Sequence, residues 1–491
     1  MDASFTRNRR YGKVYGVVRR GYISDAQADA ILFYATGLLL LNFVNQAAAF
    51  PFQVAIMIYV IWKCDLKLLP ALIVSTLDKF AFPIFGRGGY FRLSLGFGFT
   101  LYTTCGLIFF VCVMIWLLRG KYRGKLTFVI FLWLTAVVPA FVISFQARHD
   151  GVTFWQAPLG EFLAPAIYFW AVLAGRTWTY ARDYLCKRLV VIFLLFNLGS
   201  LLRVFYVFTF AENVVSICLF IAFMRYPVSS LYKGIAFVGA ALGIVNVLFS
   251  RYISMVTETG YADSSDVGST FTSVMVVVFG IGFALTFGKL IKRGTMRLVP
   301  WVTLVFCACV FCYAVGRARS KTGKILQGVD IRSIYDRFDY KLVSDRGQLW
   351  SNSLEDVFKP PLVFRKMQDR VSMVRGVDGV VKEGMMCLPH NQILTLLIVD
   401  GFWLGGVLIL FLWFSHVNMF KSGEELVRDK LCMSLLMPAS AAIFIAVGLT
   451  GQSLTDLSVK GNAIAVLIFS GVVYGARISA REERVNARFV A

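Results

Sequence analysis

Long apolar runs separated by short basic segments extend over most of the chain. A transmembrane helix needs about 20 apolar residues, and the clearest uncharged runs are 93–118, 126–147, 267–288, 298–316 and 431–455. The run 30–62 is too long for one helix. Its polar residues and proline (Asn42, Asn45, Gln46, Pro51) predict a break and therefore two helices.

Further apolar runs complete the predicted set of helices. They are 66–85, 161–175, 189–210, 211–224, 234–250, 393–420 and 461–476. Together the runs predict an all-α polytopic integral membrane protein with about 14 transmembrane helices. The pattern shows no repeat with a period of about 20–50 residues.

The composition supports this interpretation. The 491 residues are 58% hydrophobic and 16% charged, whereas a typical soluble domain has about 25% charged residues. This excludes an ordinary soluble, fibrous or disordered protein. Three closely spaced cysteines (Cys307, Cys309, Cys312) lie in an uncharged run without a paired histidine, so we predict neither a metal site nor another cofactor.

The distribution of Lys and Arg predicts the topology. If the N-terminus is cytoplasmic, the inside segments hold 29 basic residues and the short outside loops hold six. Cytoplasmic loops of membrane proteins are enriched in Lys and Arg. We therefore predict a basic cytoplasmic segment (1–28), a bundle of about 11 spans (29–316), an extracytoplasmic loop (317–391), about three further spans (392–478) and a cytoplasmic tail (479–491).

The long loop, of about 73 residues by the same span assignment, has a pattern typical of folded structure. Within 344–358, apolar residues recur at helical spacing, Ser344 is a candidate N-cap, and prolines at 360–361 would end the helix. A structured basic loop at the membrane surface suits an anionic, lipid-anchored ligand, because arginine binds phosphate in a bidentate manner. The alternative is a solvated loop that only caps the bundle.

The formal net charge of +22 is spread between the apolar runs, so lipid headgroups and an anionic substrate are the expected partners, and nucleic acid is not. The chain has three histidines. We expect His149 to be interfacial and His416 to be a packing residue. His390 lies where the basic loop meets the next apolar run and is either a polar cap or a functional residue.

Two segments of the loop resemble the bacterial O-antigen polymerase and O-antigen ligase family. The first is SDRGQLW at 344–350, and the second is HNQIL at 390–394, followed by DG at 400–401 and GG at 405–406. Each segment alone is a weak signal. Their order, their spacing and their place in the large loop make the combination more specific, although it covers only about an eighth of the chain.

The resemblance implies a fold similar to the GT-C class of glycosyltransferases and glycosyl transfer at the periplasmic face of the bacterial inner membrane. The donor would be an oligosaccharide on undecaprenyl pyrophosphate, used without a nucleotide sugar and, in ligases, without a metal. A polymerase would extend lipid-linked repeat units, with a chain-length regulator as a further candidate partner. A ligase would transfer the glycan to a lipid A core.

The chemistry implied by this resemblance assigns roles to the polar residues of the loop. A departing pyrophosphate needs fixed cations, and the acceptor hydroxyl needs a base. Arg203 is a separate signal, because an ionisable residue inside a span usually faces a cavity or a partner, the alternative being an arginine that extends to the membrane surface. The candidates are His390 as base, Arg346 as catalytic phosphate clamp, Arg203, Arg317 and Arg319 as further pyrophosphate ligands, and Asn391, Trp350 and Asp400 as supporting residues.

Other functions remain open at this stage. A flippase or transporter would favour paired broken helices and charges at the membrane midplane, and of these features the sequence offers only Arg203. A non-catalytic envelope scaffold is a further alternative. Polysaccharide polymerase is the favoured interpretation and the ligase is the nearest alternative.

Overall fold

The protein is mainly helical in the part of the chain that the structure describes. The computed structural model describes residues 23–76, 111–112, 115, 167–201, 210–224, 228–257, 295–320, 347–357, 371–375, 381–385, 391–399, 401–426, 436–441, 444 and 462–490. The predicted helical class agrees with these residues.

The described helices follow one another in this order along the chain: α1 (Asp25–Val44), α2 (Gln46–Lys63), α3 (Leu69–Thr76), α4 (Trp178–Leu201), α5 (Phe210–Met224), α6 (Ser230–Thr257), α7 (Val299–Ser320), α8 (Gln348–Val357), α9 (Gln392–Val399), α10 (Gly401–Glu425) and α11 (Asn462–Val490). Residues 167–175 are also helical. Short 3₁₀ turns precede α3 and α7. One antiparallel hairpin joins β1 (Val371–Arg375) to β2 (Val381–Met385), with Val371 opposite Met385.

The predicted break in the run 30–62 is confirmed at Asn45. Its backbone N–H donates to the carbonyl of Leu41 at the end of α1, and its side-chain oxygen accepts from the N–H of Ala48 at the start of α2. One asparagine thus caps both helices, because its short polar side chain satisfies a backbone donor that a helix start leaves unpaired.

The helices pack into one hydrophobic core. Helix α1 packs against α2 and α3, α6 packs against α4 and α5, and α10 packs against α9 and α11. Large side chains at these contacts are almost completely covered, among them Trp170, Trp178, Phe193, Phe220 and Phe420.

Among the described residues, one helical stretch, Thr295–Arg317, is long and apolar enough to cross a membrane, and Ala48–Lys63, Leu66–Ser75 and Ser230–Val245 are shorter apolar helices. Several predicted spans, including 93–118, 126–147 and 267–288, lie largely or wholly outside the described residues.

The run 393–420 does not form the single helix that we predicted. Leu396 and Gly405 would be about 13.5 Å apart along a continuous helix, which rises about 1.5 Å per residue. Instead, a Cβ atom added to Gly405 would lie 2.5 Å from the carbonyl oxygen of Leu396. The chain therefore changes direction between α9 and α10, and the two helices pack closely where Gly405 has no side chain.

A second close helix contact involves the pair Gly471 and Gly475 on α11. A Cβ atom on Gly471 would lie 2.7 Å from the carbonyl oxygen of Tyr168, and one on Gly475 would meet the backbone of Val172 and Gly175. Small residues four positions apart allow helix backbones to approach in this way, a packing mode common in membranes.

This contact predicts that Gly475→Ala destabilises the protein. The added methyl group would collide with backbone that cannot rotate away, so we expect a loss of about 1–3 kcal/mol, the range for overpacked sites. Gly37→Ala is the matched control, because a Cβ atom there meets nothing within 4 Å. The thermal midpoint in detergent should fall for Gly475→Ala alone. Equal midpoints for the two variants would contradict the close contact.

A group of ion pairs connects neighbouring elements of the fold, and we call this group of residues the ionic end. The pairs are Lys67–Asp25 (2.6 Å), Arg188–Asp29 (2.7 Å), Arg176–Glu482 (2.5 Å), Arg297–Glu424 (2.5 Å), Arg481–Glu425 (2.6 Å) and Arg477–Glu425. Each of these six pairs joins segments that the Lys and Arg distribution assigns to the same side, or the residue next to such a segment.

Glu425 is the centre of the largest of these clusters. Arg477 and Arg481 both donate to its carboxylate, and these hydrogen bonds lower the pKa of Glu425 to about 2 against the opposing effect of burial. A carboxylate with a depressed folded-state pKa adds stability above its unfolded value of about 4.3, and this contribution is lost as the pH falls through the folded value.

We therefore expect Glu425→Gln to lower stability at pH 7 by about 1–2 kcal/mol, a value discounted because Arg481 is half exposed. The difference between wild type and variant should shrink as the pH falls from about 4.5 to 2. Glu483→Gln, at an exposed position of α11, is the control. Thermal midpoints measured across this pH range test the prediction, which fails if the difference stays constant.

Candidate functional site

The candidate site lies where α8 and α9 pack near the C-terminal end of α7. Helix α8 forms inside the predicted stretch 344–358, because its apolar residues share one face. Trp350 is completely buried on that face and stacks on Phe311 of α7, with ring centroids 5.2 Å apart and an interplanar angle of 18°. The amphipathic loop helix is thus docked onto the end of α7 and is not a freely solvated segment.

Arg317 and Arg319 belong to the last turn of α7, which continues to Ser320 beyond the predicted end of the span at 316. Cations are favourable at a helix C-terminus, where the helix dipole is negative. Both residues are exposed, and Nε of Arg319 donates to Oγ of Ser351 at 2.9 Å. The guanidinium group of Arg319 therefore lies beside α8, whereas Arg317, two positions earlier, leaves α7 on a different face.

Asn391, predicted as a supporting residue, holds the start of α9. Its side-chain oxygen accepts from the N–H groups of Ile393 (3.0 Å) and Leu394 (3.2 Å), and the residue is 3% exposed. This is N-cap geometry, which satisfies backbone donors that would otherwise be buried and unpaired. Asn391 thereby determines where the segment that begins with His390 enters helix α9.

The packing of α8 against α9 brings the two motif segments together. Trp350 ends the first segment, and Asn391 belongs to the second, about 40 positions later. The described parts of the two segments, 347–350 and 391–394, are therefore neighbours in the fold.

Four predicted site residues, Arg203, Arg346, His390 and Asp400, lie outside the described residues. The structure accounts for the first glycine of the pair at 405–406, since Gly405 packs against the backbone of Leu396, whereas a Cβ atom on Gly406 would meet nothing within 4 Å. Sequence reasoning did not single out Phe311 or Ser351. Phe311 lies in a uniformly apolar run, where no pattern marks one phenylalanine for a specific contact.

The hairpin β1–β2 was also missed by sequence reasoning. Its strands are only five residues long. The available signals were the valines of VSMVR, which favour a strand, and the Asp-Gly pair at 378–379 between the two strands, which is typical of a hairpin turn. The predicted loop thus contains a helix and a hairpin.

The remaining candidates do not contribute to this site. His416 is completely buried and stacks on Phe444 with centroids 4.3 Å apart, and its Nδ1 lies 3.4 Å from Oγ of Ser440. Its predicted role as a packing residue is confirmed. Cys307 is buried, while Cys309 and Cys312 are exposed. Within the described ranges, no group of three His, Cys, Asp or Glu side chains is arranged to hold a metal ion.

The chain was compared with known protein families, curated proteins and solved structures. No family model matches it, and neither a curated protein nor a solved structure shows significant similarity to it.

Proposed function

We propose that the protein is a glycosyltransferase that uses undecaprenyl-pyrophosphate-linked glycans, most specifically a polysaccharide polymerase for O-antigen, capsule or exopolysaccharide. The observation that carries the proposal is the packing of α8 against α9 near the arginine-bearing end of α7. Two motif segments far apart in sequence and the guanidinium group of Arg319, which donates to Ser351 of α8, thereby belong to one surface.

The charge of this surface suits a pyrophosphate ligand. Arg317 and Arg319 are exposed in the last turn of α7, and Arg346 lies two positions before the start of α8 in the sequence. Planar guanidinium groups donate paired hydrogen bonds to phosphate oxygens. Because negative charge grows on the departing pyrophosphate, cations fixed before the reaction stabilise the transition state more than the ground state.

The proposed reaction joins an acceptor hydroxyl to the donor glycan. The hydroxyl oxygen attacks the anomeric carbon, the bond between that carbon and the phosphate oxygen breaks, and undecaprenyl pyrophosphate leaves with the electron pair. His390 accepts the hydroxyl proton as general base. The arginines stabilise the negative charge that grows on the pyrophosphate, and this scheme requires no metal or other cofactor.

The proposal places the chain in the bacterial inner membrane with about 14 spans and both termini in the cytoplasm. Large apolar side chains on the outside of the bundle support it, for example Phe33 (77% exposed) and Val44 (87% exposed). Helix α7 has 22 residues, or about 33 Å. That length spans a hydrocarbon core of about 30 Å between the ionic end and the candidate site.

This topology predicts opposite labelling of the two ends. A cysteine near Arg484, at the ionic end, should be shielded from an impermeant thiol reagent in intact cells. A cysteine near Lys359 in the loop should react. Cells permeabilised before labelling provide the control, since both positions should then react. Labelling of the Arg484 position in intact cells would invert the proposed orientation.

The decisive experiment for the activity has two steps. The first identifies the glycan that accumulates when the gene is deleted, and the second measures glycan transfer by the purified protein from a lipid-linked donor. A polymerase predicts single repeat units in place of polymer. A ligase predicts long polymer that remains on undecaprenyl pyrophosphate. Normal surface polysaccharide in the deletion strain, together with no transfer by the purified protein, would refute both forms of the proposal.

A further inference from the structure

Three arginines of α11 converge on the end of α10. Arg477, Arg481 and Arg484 are four and three positions apart, so they share one face of the helix. Arg477 and Arg481 donate to the carboxylate of Glu425, the last residue of α10. Arg484 donates instead to the main-chain carbonyls of Glu425 (3.4 Å) and Ala480 (3.2 Å). This arginine cluster thus has three guanidinium groups around one carboxylate.

The acidic residues nearby do not balance the charge of the arginine cluster. Glu424 and Glu482 each pair with an arginine outside it. Glu483 is exposed and leaves α11 about 100° away from Arg484. Among the described residues, Arg484 has hydrogen bonds to main-chain carbonyls and no ion pair. The folded cluster therefore retains an excess of positive charge.

Two guanidinium nitrogens of the arginine cluster are available to a ligand. Arg481 uses Nε and one terminal nitrogen for Glu425, and Arg484 uses Nε and one terminal nitrogen for the main chain. The second terminal nitrogen of each side chain, Nη1, has no hydrogen-bond partner among the described residues. Arg481 is 56% exposed and Arg484 is also exposed, so both groups can be reached from outside the protein.

The position of the cluster along α11 matches the depth of lipid headgroups. Helix α11 has 29 residues, or about 43 Å, whereas the hydrocarbon core is about 30 Å thick. If α11 enters the core at Asn462, as in the proposed topology, Arg484 lies about 33 Å along the helix. Arg297, two positions before α7, pairs with Glu424 beside the cluster, so the proposed cytoplasmic ends of α7, α10 and α11 meet there.

We infer that the arginine cluster binds the headgroup phosphate of an anionic phospholipid of the phosphatidylglycerol class in the cytoplasmic leaflet. The inference rests on the membrane orientation in the proposed function and does not require glycosyl transfer. Guanidinium groups donate paired hydrogen bonds to phosphate oxygens. Basic pockets between transmembrane helices on the cytoplasmic side bind anionic headgroups. The phosphate would balance the excess charge and connect the ends of α10 and α11.

The first test measures stabilisation by lipid. The full chain is purified in a neutral detergent, and its thermal midpoint is recorded with increasing dioleoyl-phosphatidylglycerol or dioleoyl-phosphatidylcholine. A ligand that binds only the folded state raises the midpoint as its concentration increases. Phosphatidylglycerol should raise the midpoint to a plateau, and phosphatidylcholine should have little effect. Equal shifts with the two lipids, or no shift with phosphatidylglycerol, would overturn the inference.

The second test locates the site with Arg484→Gln. This variant should bind phosphatidylglycerol about fivefold more weakly, the contribution of one basic residue near a membrane surface. Lys233→Gln is the matched control, because it removes the same charge from an exposed position of α6 on the same side in the proposed topology. Its binding should be nearly unchanged. An equal loss in both variants would mean that net charge alone attracts the lipid, and the inference would be wrong.

Glu425→Gln distinguishes a headgroup site from a purely structural cluster. The substitution releases Arg477 and Arg481 from their carboxylate, so the lipid-free protein should be less stable while phosphatidylglycerol binds more tightly. Arg484→Gln should change lipid binding in the opposite direction. If both substitutions weaken binding equally, the cluster acts only through the stability of the fold and the inference fails.

Inorganic phosphate distinguishes a lipid from a soluble anion. At millimolar concentration it should not reproduce the stabilisation, because it lacks the acyl chains that hold a phospholipid against the helices. An equal effect of phosphate would assign the cluster to a soluble anion and overturn the lipid site. If the purified protein transfers no glycan, the proposed activity fails, while the lipid titrations still decide this inference.

Discussion

A His390→Gln protein should lose about 10²–10⁴-fold of its glycan transfer rate, the contribution typical of general base catalysis. Glutamine retains hydrogen-bonding capacity at about the same reach but cannot accept the proton. Donor binding should remain largely unchanged, because the arginines hold the pyrophosphate. The measurement is in vitro transfer with a lipid-linked donor at saturating and limiting concentrations.

The pH profile distinguishes a base from a structural cap. A histidine acts as base only in its neutral form, so the wild-type rate should fall as the pH decreases through the pKa of His390. The residual rate of His390→Gln should lack this step between pH 5 and 8. A glutamine variant with the wild-type rate and profile would show that His390 only caps the region before α9.

Replacement of Arg346 by Ala should abolish measurable transfer while the protein still folds and inserts. In the proposed site the substitution removes a cation that stabilises the leaving group, and electrostatic stabilisation in a preorganised site is usually the largest contribution. Arg346→Lys should restore little activity, because an ammonium group is a point charge without the planar fork. Rates from the purified donor assay, with thermal midpoints to verify folding, test both variants.

Replacement of Arg203 by Leu should distinguish the two interpretations of this residue, a pyrophosphate ligand in a cavity and an arginine that extends to the membrane surface. If it binds pyrophosphate in a cavity, Arg203→Leu should abolish transfer with retained insertion. If it only extends to the membrane surface, Arg203→Leu should keep full activity, since leucine is favourable within an apolar helix. Full activity of this variant would remove Arg203 from the proposed site and leave Arg346, Arg317 and Arg319 as its cations.

Much of the local structure could be predicted from the sequence. Asn45 marks the break between α1 and α2, because one polar residue in an apolar run can satisfy the backbone groups of both helix ends. The amphipathic spacing around Trp350 predicts α8 and its buried face. These features depend on groups only a few residues apart, so they are visible in a local pattern.

The sequence by itself predicted that apolar helices dominate the chain. It also predicted that the long basic loop contains folded structure and ends at the motif at 390–394. Only the tertiary structure decided the change of direction between α9 and α10 and the choice of Phe311 as the partner of Trp350. It also decided that α11 continues to Val490 and pairs its charged residues with Glu425 and Arg176. The reason is physical. Hydropathy measures the transfer of each side chain, whereas close approach, ring stacking and ion pairing depend on which distant residues the fold brings within a few ångströms.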